Sequence, residues 1–279
     1  MTGAGVFAIV SIIGFVGQVI DGSLGMGFGV FSTSFIIGAG LAPAVAVAVV
    51  NAAKIFTGVS SGLSHWKFGN VRWEWLLPLA LSGIVGGVLG AYLLTLIPPK
   101  VALPWVSSLL LVMGGLLVWR SLRWRVSCAV QAWDKKCIDC PSQKRDWQWL
   151  TSQAKSTALN KIGALGFVAA LVNGMSGAYG PIATSGMMFI EKHQPPRFAV
   201  GTVNMAEVFV SAAVVTTILL RQGLSQFPTG LVLALVIGAA LAAPLAAYIC
   251  SRLPARALTF STGALLIASN IRAMSLILR

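Results

Sequence analysis

Apolar residues run through this chain in ten blocks, at about 5–20, 28–38, 43–62, 75–97, 102–120, 161–173, 179–190, 198–220, 229–250 and 255–271. One extended polar stretch, 121–160, separates the first five from the last five. No soluble globule of 279 residues can hide that much apolar sequence. Only 10% of the residues are charged and 57% are hydrophobic, whereas an ordinary soluble domain carries about 25% charged residues. The charges are too few to coat a surface in water, and a mean hydropathy of +0.85 excludes a disordered chain. The blocks are rich in Leu, Ala and Val and do not alternate at period two, which argues against a β-barrel. The expected fold is an all-α polytopic membrane protein.

The net charge of +13 would suggest nucleic acid in a soluble protein. In an apolar chain it reads instead as basic loops on the cytoplasmic side of a bilayer, with no nucleic-acid partner. Met1–Val16 has no basic leading region, so no cleavable signal is expected.

The two sets of five blocks can be laid on one another. Gly14-Phe15-Val16 matches Gly166-Phe167-Val168, Asp21-Gly22 matches Asn173-Gly174, Gly25 matches Gly177, and the Val50–Phe56 run matches Val203–Phe209. Further on, Leu96-Ile97-Pro98 resembles Arg252-Leu253-Pro254, so the offset drifts only from 152 to 156. The second block of each set holds about a dozen residues, too few to cross a bilayer, which takes roughly 20. The blocks before them, 5–20 and 161–173, also read as short. Between them lie glycine-rich breaks, Asp21 to Gly29 and Asn173 to Pro181. Each pair therefore reads as a re-entrant broken-helix hairpin, followed by three transmembrane helices. Non-helical backbone at that depth survives only inside protein or beside a watery cavity.

Three crossings per set make the two sets inverted repeats. The expected organisation is a membrane repeat over 1–120, a basic interfacial linker over 121–160 and a second membrane repeat over 161–279. With the linker in the cytoplasm, fifteen of the twenty basic residues fall on the inner side, which places both termini outside a plasma membrane. Five full crossings per set would put the loops on the same sides. Trp119, Trp124, Trp133, Trp147 and Trp149 flank the linker's basic residues, as in a segment lying on the membrane interface.

Free amides at the start of a broken helix attract an anion without a full positive charge. Gly25, Gly27 and Gly29 at the first break, and Gly177 and Gly180 at the second, would let a ligand approach the backbone; tight helix packing is the plainer role for such glycines. Asn51-x-x-Lys54 and Asn204-x-x-Glu207 are sharper signals, because a spacing of three puts each pair on one helix face. Lys54 and Glu207 occupy matched repeat positions with opposite charge, and an ionisable group in an apolar helix is costly unless paired or wet. Two roles are open: an ion pair between the repeats, or an anion held by Lys54 while Glu207 or Asp21 takes up a proton. Asp21 is equally suited to cap the broken helix. Tyr179, Ser176, Ser23, Thr184 and Ser185 could donate to an oxyanion, or bond their own helix carbonyls.

Cys137 and Cys140 form a C-x-x-C with Cys128 nearby, but three thiols do not complete a usual four-ligand zinc site, so no metal or cofactor is expected. With two histidines and no phosphate-binding loop, neither hydrolytic chemistry nor an ATP-driven pump is indicated, and the chain does not read as an enzyme.

The run Ser61–Trp73, the glycines Gly83, Gly86, Gly87 and Gly90, the Leu96–Lys100 turn, the glycine-rich first break and the Ala199–Asn204 run together resemble the sulfite exporter TauE/SafE family of permeases. The similarity covers both repeats, and the linker is larger and more cysteine-bearing than the pattern requires. The resemblance implies a secondary permease for sulfite, thiosulfate, a sulfonate or a related organosulfur anion. The expected activity is export of sulfite or a small sulfonate by alternating access. The rivals are proton-coupled uptake of thiosulfate or a sulfonate, and a membrane sensor or sulfur-handling protein using the linker thiols.

Overall fold

A computed structural model describes residues 3–24, 27–67, 69–123, 152–191, 194, 196–223 and 227–250, with isolated positions at 260, 264, 267, 268 and 271. Among them there is helix and connecting backbone and no strand. The order is α1 (Gly3–Leu24), α2 (Phe28–Gly38), α3 (Pro43–Lys67), α4 (Trp73–Leu96), α5 (Pro99–Arg123), α6 (Ser152–Ser176), α7 (Gly180–Ile190), α8 (Pro196–Gln222) and α9 (Thr229–Cys250). Proline opens α3, α5 and α8, where its missing N–H and fixed φ suit the first helical position.

Three of the described helices, α3, α4 and α8, are both long and apolar enough to cross a membrane. The half-length helices stand where the sequence puts them, eleven residues each in α2 and α7. The helices before them differ from expectation. α1 has 22 residues and α6 has 25, about 33 and 37 Å at 1.5 Å per residue. Hydropathy underestimated both because it does not report where a helix ends: α1 runs on through Asp21-Gly22-Ser23-Leu24, and α6 begins upstream of its apolar block in a stretch that includes the helix formers Gln153, Ala154, Lys155 and Ala158. The helices on either side of the polar stretch thus reach in to Arg123 and Ser152; Cys128, Cys137 and Cys140 lie outside the described residues.

α4 explains how such helices pack. Leu77, Leu81, Val85, Leu89 and Leu93 recur every four residues along one face and are exposed; Leu81 is 63% accessible. That face suits lipid. The opposite face carries Gly83, Gly86, Gly87 and Gly90, all buried. A Cβ at Gly86 or Gly90 would run into the backbone of Phe167 or Leu171 on α6, and one at Gly166 would sit 2.6 Å from the Leu79 carbonyl. Small residues let the backbones meet, which is where packing energy comes from when lipid is as apolar as leucine. α1 and α9 meet likewise: a Cβ at Gly14 would lie 2.5 Å from the Leu235 carbonyl, and one at Gly238 would strike Ser11. The heaviest packing is therefore α4 on α6 and α1 on α9, with α3 on α8 and α4 on α8 next.

Candidate functional site

At the first break Asp21, near the end of α1, accepts a hydrogen bond from the Phe28 amide at 3.2 Å. Its carboxylate thus caps α2 and satisfies one of the amides that every helix leaves unpaired at its start. Gly27 precedes α2 with an extended φ of 168°, and its carbonyl accepts the first helical bond, from Phe31, at 2.9 Å. Gly25, and the side chain of Ser23, lie outside the described residues.

At the second break Gly177 has φ 77°, a left-handed conformation that favours glycine. Its amide donates to the Asn173 carbonyl at 2.7 Å and closes α6. α7 then starts at Gly180, with the Tyr179 carbonyl accepting from Ala183 at 2.9 Å. Gly180 and Tyr179 are fully enclosed.

Lys54 joins these parts. It rises from the middle of α3, is 4% exposed, and places its ammonium 2.7 Å from Glu207 Oε1 on α8. Nζ also donates to Asn173 Oδ1 at 3.1 Å and to the Gly177 carbonyl at 2.8 Å. Three N–H donors meet three acceptors, the condition under which a buried ammonium is tolerable. Asn173 in turn donates to Asn51 Oδ1 at 2.8 Å, and Asn51 to the Val47 carbonyl at 2.9 Å. The spacing of three thus does what it implied, since Asn51 and Lys54 address one residue of α6 from one face of α3. Gly29 lies beneath the ammonium; a Cβ there would overlap both Lys54 Nζ and the Gly177 oxygen. The start of α2 therefore touches the second break, with Lys54 over the junction.

Lys54, Glu207, Asp21 and Asn204 share the wall of one cleft, together with Gln18, Phe28, Thr57, Gly58 and Ser61; it encloses about 290 Å³ including its open side. The enclosed part has room for little more than a water-sized body. Asn204 does not mirror Asn51, because its amide donates to Ser61 Oγ at 3.0 Å. Ser176 is engaged with its own helix, on the Val172 carbonyl at 2.8 Å. Thr184 is buried on α7 and Ser185 is half-buried beside it. The Tyr179 hydroxyl has no hydrogen-bond partner among the described residues, and neither do Ser32 Oγ and Thr33 Oγ1 on α2. Thr33 Oγ1 lies against Gly177.

Sequence reasoning missed Asn173 as a member of the site, although it stands at the repeat position of Asp21. It also missed Thr33 and Ser61, whose hydroxyls look like any others in an apolar helix. Among the described residues no group of three or more His, Cys, Asp or Glu side chains could hold a metal ion.

Comparison with known proteins gives two matches. The profile of the family described as "Sulfite exporter TauE/SafE" matches residues 10–273. A "Probable membrane transporter protein YtnM" of Bacillus subtilis (strain 168) is 31% identical over 270 residues, covering 95% of this chain and 82% of that protein. No solved structure matches.

Proposed function

The chain belongs to the sulfite exporter TauE/SafE family, and on that footing we propose that it exports sulfite or a small sulfonate from the cell by secondary transport. The protein is a helical, multi-pass membrane transporter and not an enzyme. The observation that carries this proposal is the buried Lys54 ammonium, set where the two helix breaks meet and bordering a cleft. A fixed positive group beside half-helix starts is what a small oxyanion needs in a medium of low dielectric.

In this reading the oxyanion is held by Lys54 and Asn51, by the backbone about Gly25, Gly27, Gly29, Gly177 and Gly180, and by Tyr179 and Asn204. Asp21 and Glu207 govern protonation or gating. The protein consists of two inverted repeats, 1–120 and 161–279, that rock to expose the site to either side. Helix exchange supports the repeats. The first helix of one set packs on the fourth of the other in both directions, α1 on α9 and α6 on α4, while the two third helices, α3 and α8, pack on each other. The matched glycines Gly14 and Gly166 occupy corresponding seams. The linker lies at the cytoplasmic face and both termini outside, following the basic residues.

Energetics permit export without ATP, since carrying one net negative charge outward gains about 2.3 kcal/mol per 100 mV of interior-negative potential. Proton-coupled uptake of thiosulfate or a sulfonate is a second reading, favoured by the two carboxylates that border the cleft with Lys54. Flux of sulfite, thiosulfate and a sulfonate in proteoliposomes, under separately imposed voltage and pH gradients, tests both. Export of sulfite predicts voltage-driven outward flux that Lys54→Met abolishes. Folded protein that moves none of these anions refutes the assignment.

A further inference from the structure

The cleft holds one positive side chain and two negative ones: Lys54 from α3, Asp21 from α1 and Glu207 from α8. The groups that face Glu207 from neighbouring helices are few. Lys54 is in contact, Asp21 is within Coulombic reach, and so is the enclosed phenol of Tyr179 at the head of α7. α4, also laid against α8, brings Gly83 and Gly87 to Val210. With all three groups ionised the cleft carries one net negative charge. Adding a further anion to it is opposed at short range and low dielectric.

The bonds of Lys54 show where an anion can enter. Two of its acceptors, Asn173 Oδ1 and the Gly177 carbonyl, are neutral and belong to the framework of the second break. The third, Glu207 Oε1, is the anionic one and sits at the end of a flexible side chain on the cleft wall. Asp21 is already committed to the Phe28 amide. An oxyanion oxygen could replace Glu207 on the ammonium with no loss in the number of bonds to Nζ. A carboxylate left in that setting without its cation is unstable, and it becomes neutral by protonation.

Resting on the anion-transport reading, we propose that Glu207 is a tethered stand-in for the transported oxyanion: the substrate takes its place on Lys54, and Glu207 gives way by accepting a proton from the aqueous side. The Lys54–Glu207 pair breaks, a Lys54–oxyanion pair and an O–H on Glu207 form, and one proton leaves solution for each anion bound. The charge of the cleft is then the same before and after for a singly charged substrate. Anion and proton move as one unit. Doubly charged sulfite would travel as a net single negative charge, which interior-negative voltage drives outward. A sulfonate would travel as a neutral unit, indifferent to voltage and responsive to a pH gradient.

The test uses the full chain in lipid nanodiscs, with thiosulfate and methanesulfonate as probes, because these anions of strong acids take up no proton of their own near neutral pH. Calorimetric titration in two buffers of different ionisation heat counts the protons. The expected result is about one proton taken up per anion bound, with affinity weakening about tenfold per pH unit on the alkaline side. Glu207→Gln, neutral and nearly the same shape, is expected to bind without proton uptake and with an affinity that is flat in pH. Wild-type binding without proton uptake overturns the proposal while leaving anion transport standing, and so does proton uptake that persists in Glu207→Gln. No binding of either probe, or of sulfite, overturns the anion reading itself. A wild-type count of zero overturns the proposal even if the variant does not fold.

Discussion

Removing the Lys54 ammonium should cost far more than removing its carboxylate partner. Lys54→Met strands a Glu207 carboxylate whose side chain is 13% exposed, and it also strips a donor from Asn173 and from the Gly177 carbonyl. Breaking a buried pair from one side costs about 3–5 kcal/mol. Glu207→Gln leaves the ammonium two framework acceptors and offers it an amide oxygen in place of the carboxylate, so about 1–2 kcal/mol is expected. The double variant no longer strands Glu207, keeps Asp21 on the Phe28 amide, and should lie at about 2–3 kcal/mol, giving a coupling energy of about 2–3 kcal/mol between the sites. Unfolding in mixed micelles with rising SDS, followed by circular dichroism, measures all four corners of the cycle. Transport measured beside it should be absent from both variants that lack Lys54, however well the double variant recovers stability. Additivity within about 0.5 kcal/mol would refute the reasoning, as would a Glu207→Gln loss equal to that of Lys54→Met.

Other substitutions probe separate parts. Gly90→Ala pushes a methyl into the Leu171 backbone and should destabilise by about 1–3 kcal/mol, whereas Gly115→Ala, with open space around it, should stabilise α5 by up to about 1 kcal/mol; the same micelle unfolding ranks them. Asp21→Ala removes the cap on α2 and should cost about 1 kcal/mol, while Asp21→Asn keeps an acceptor for the Phe28 amide and should cost less, which distinguishes capping from charge. Tyr179→Phe and Thr33→Val delete buried hydroxyls that lack partners among the described residues, so stability should hold or rise. If those hydroxyls serve the oxyanion, the KM for its flux rises in the same variants, and an unchanged KM removes them from the site.

Much of the helical plan was legible because its causes are local. Glycine-rich breaks and apolar runs of a dozen residues marked α2 and α7 almost to the residue. The meeting of Lys54 with Glu207 was also legible as one of two options, since opposite charges at matched positions of an apolar repeat need compensation. The length of α1 and α6 was not, because hydropathy reports the solvent a residue prefers and not whether its backbone stays helical. Nor was the role of Asn173. Its bonds to Asn51 and Lys54 span more than a hundred residues of chain, and nothing within its own helix announces them. Asn204 was expected to act as Asn51 does, yet Ser61 lies closer to hand and takes its amide. Matched sequence positions do not compel matched partners once one neighbour differs.

The seam glycines carry a consequence for how such a chain can be assembled. α1 finds its bare-backbone counterpart in α9, and α4 finds its own in α6, so the two ends of the polypeptide clasp like interlocked hands. Neither palm closes on itself. A chain severed between α5 and α6 leaves the notched surfaces of each fragment uncovered, and should regain its shape only when both fragments are made together.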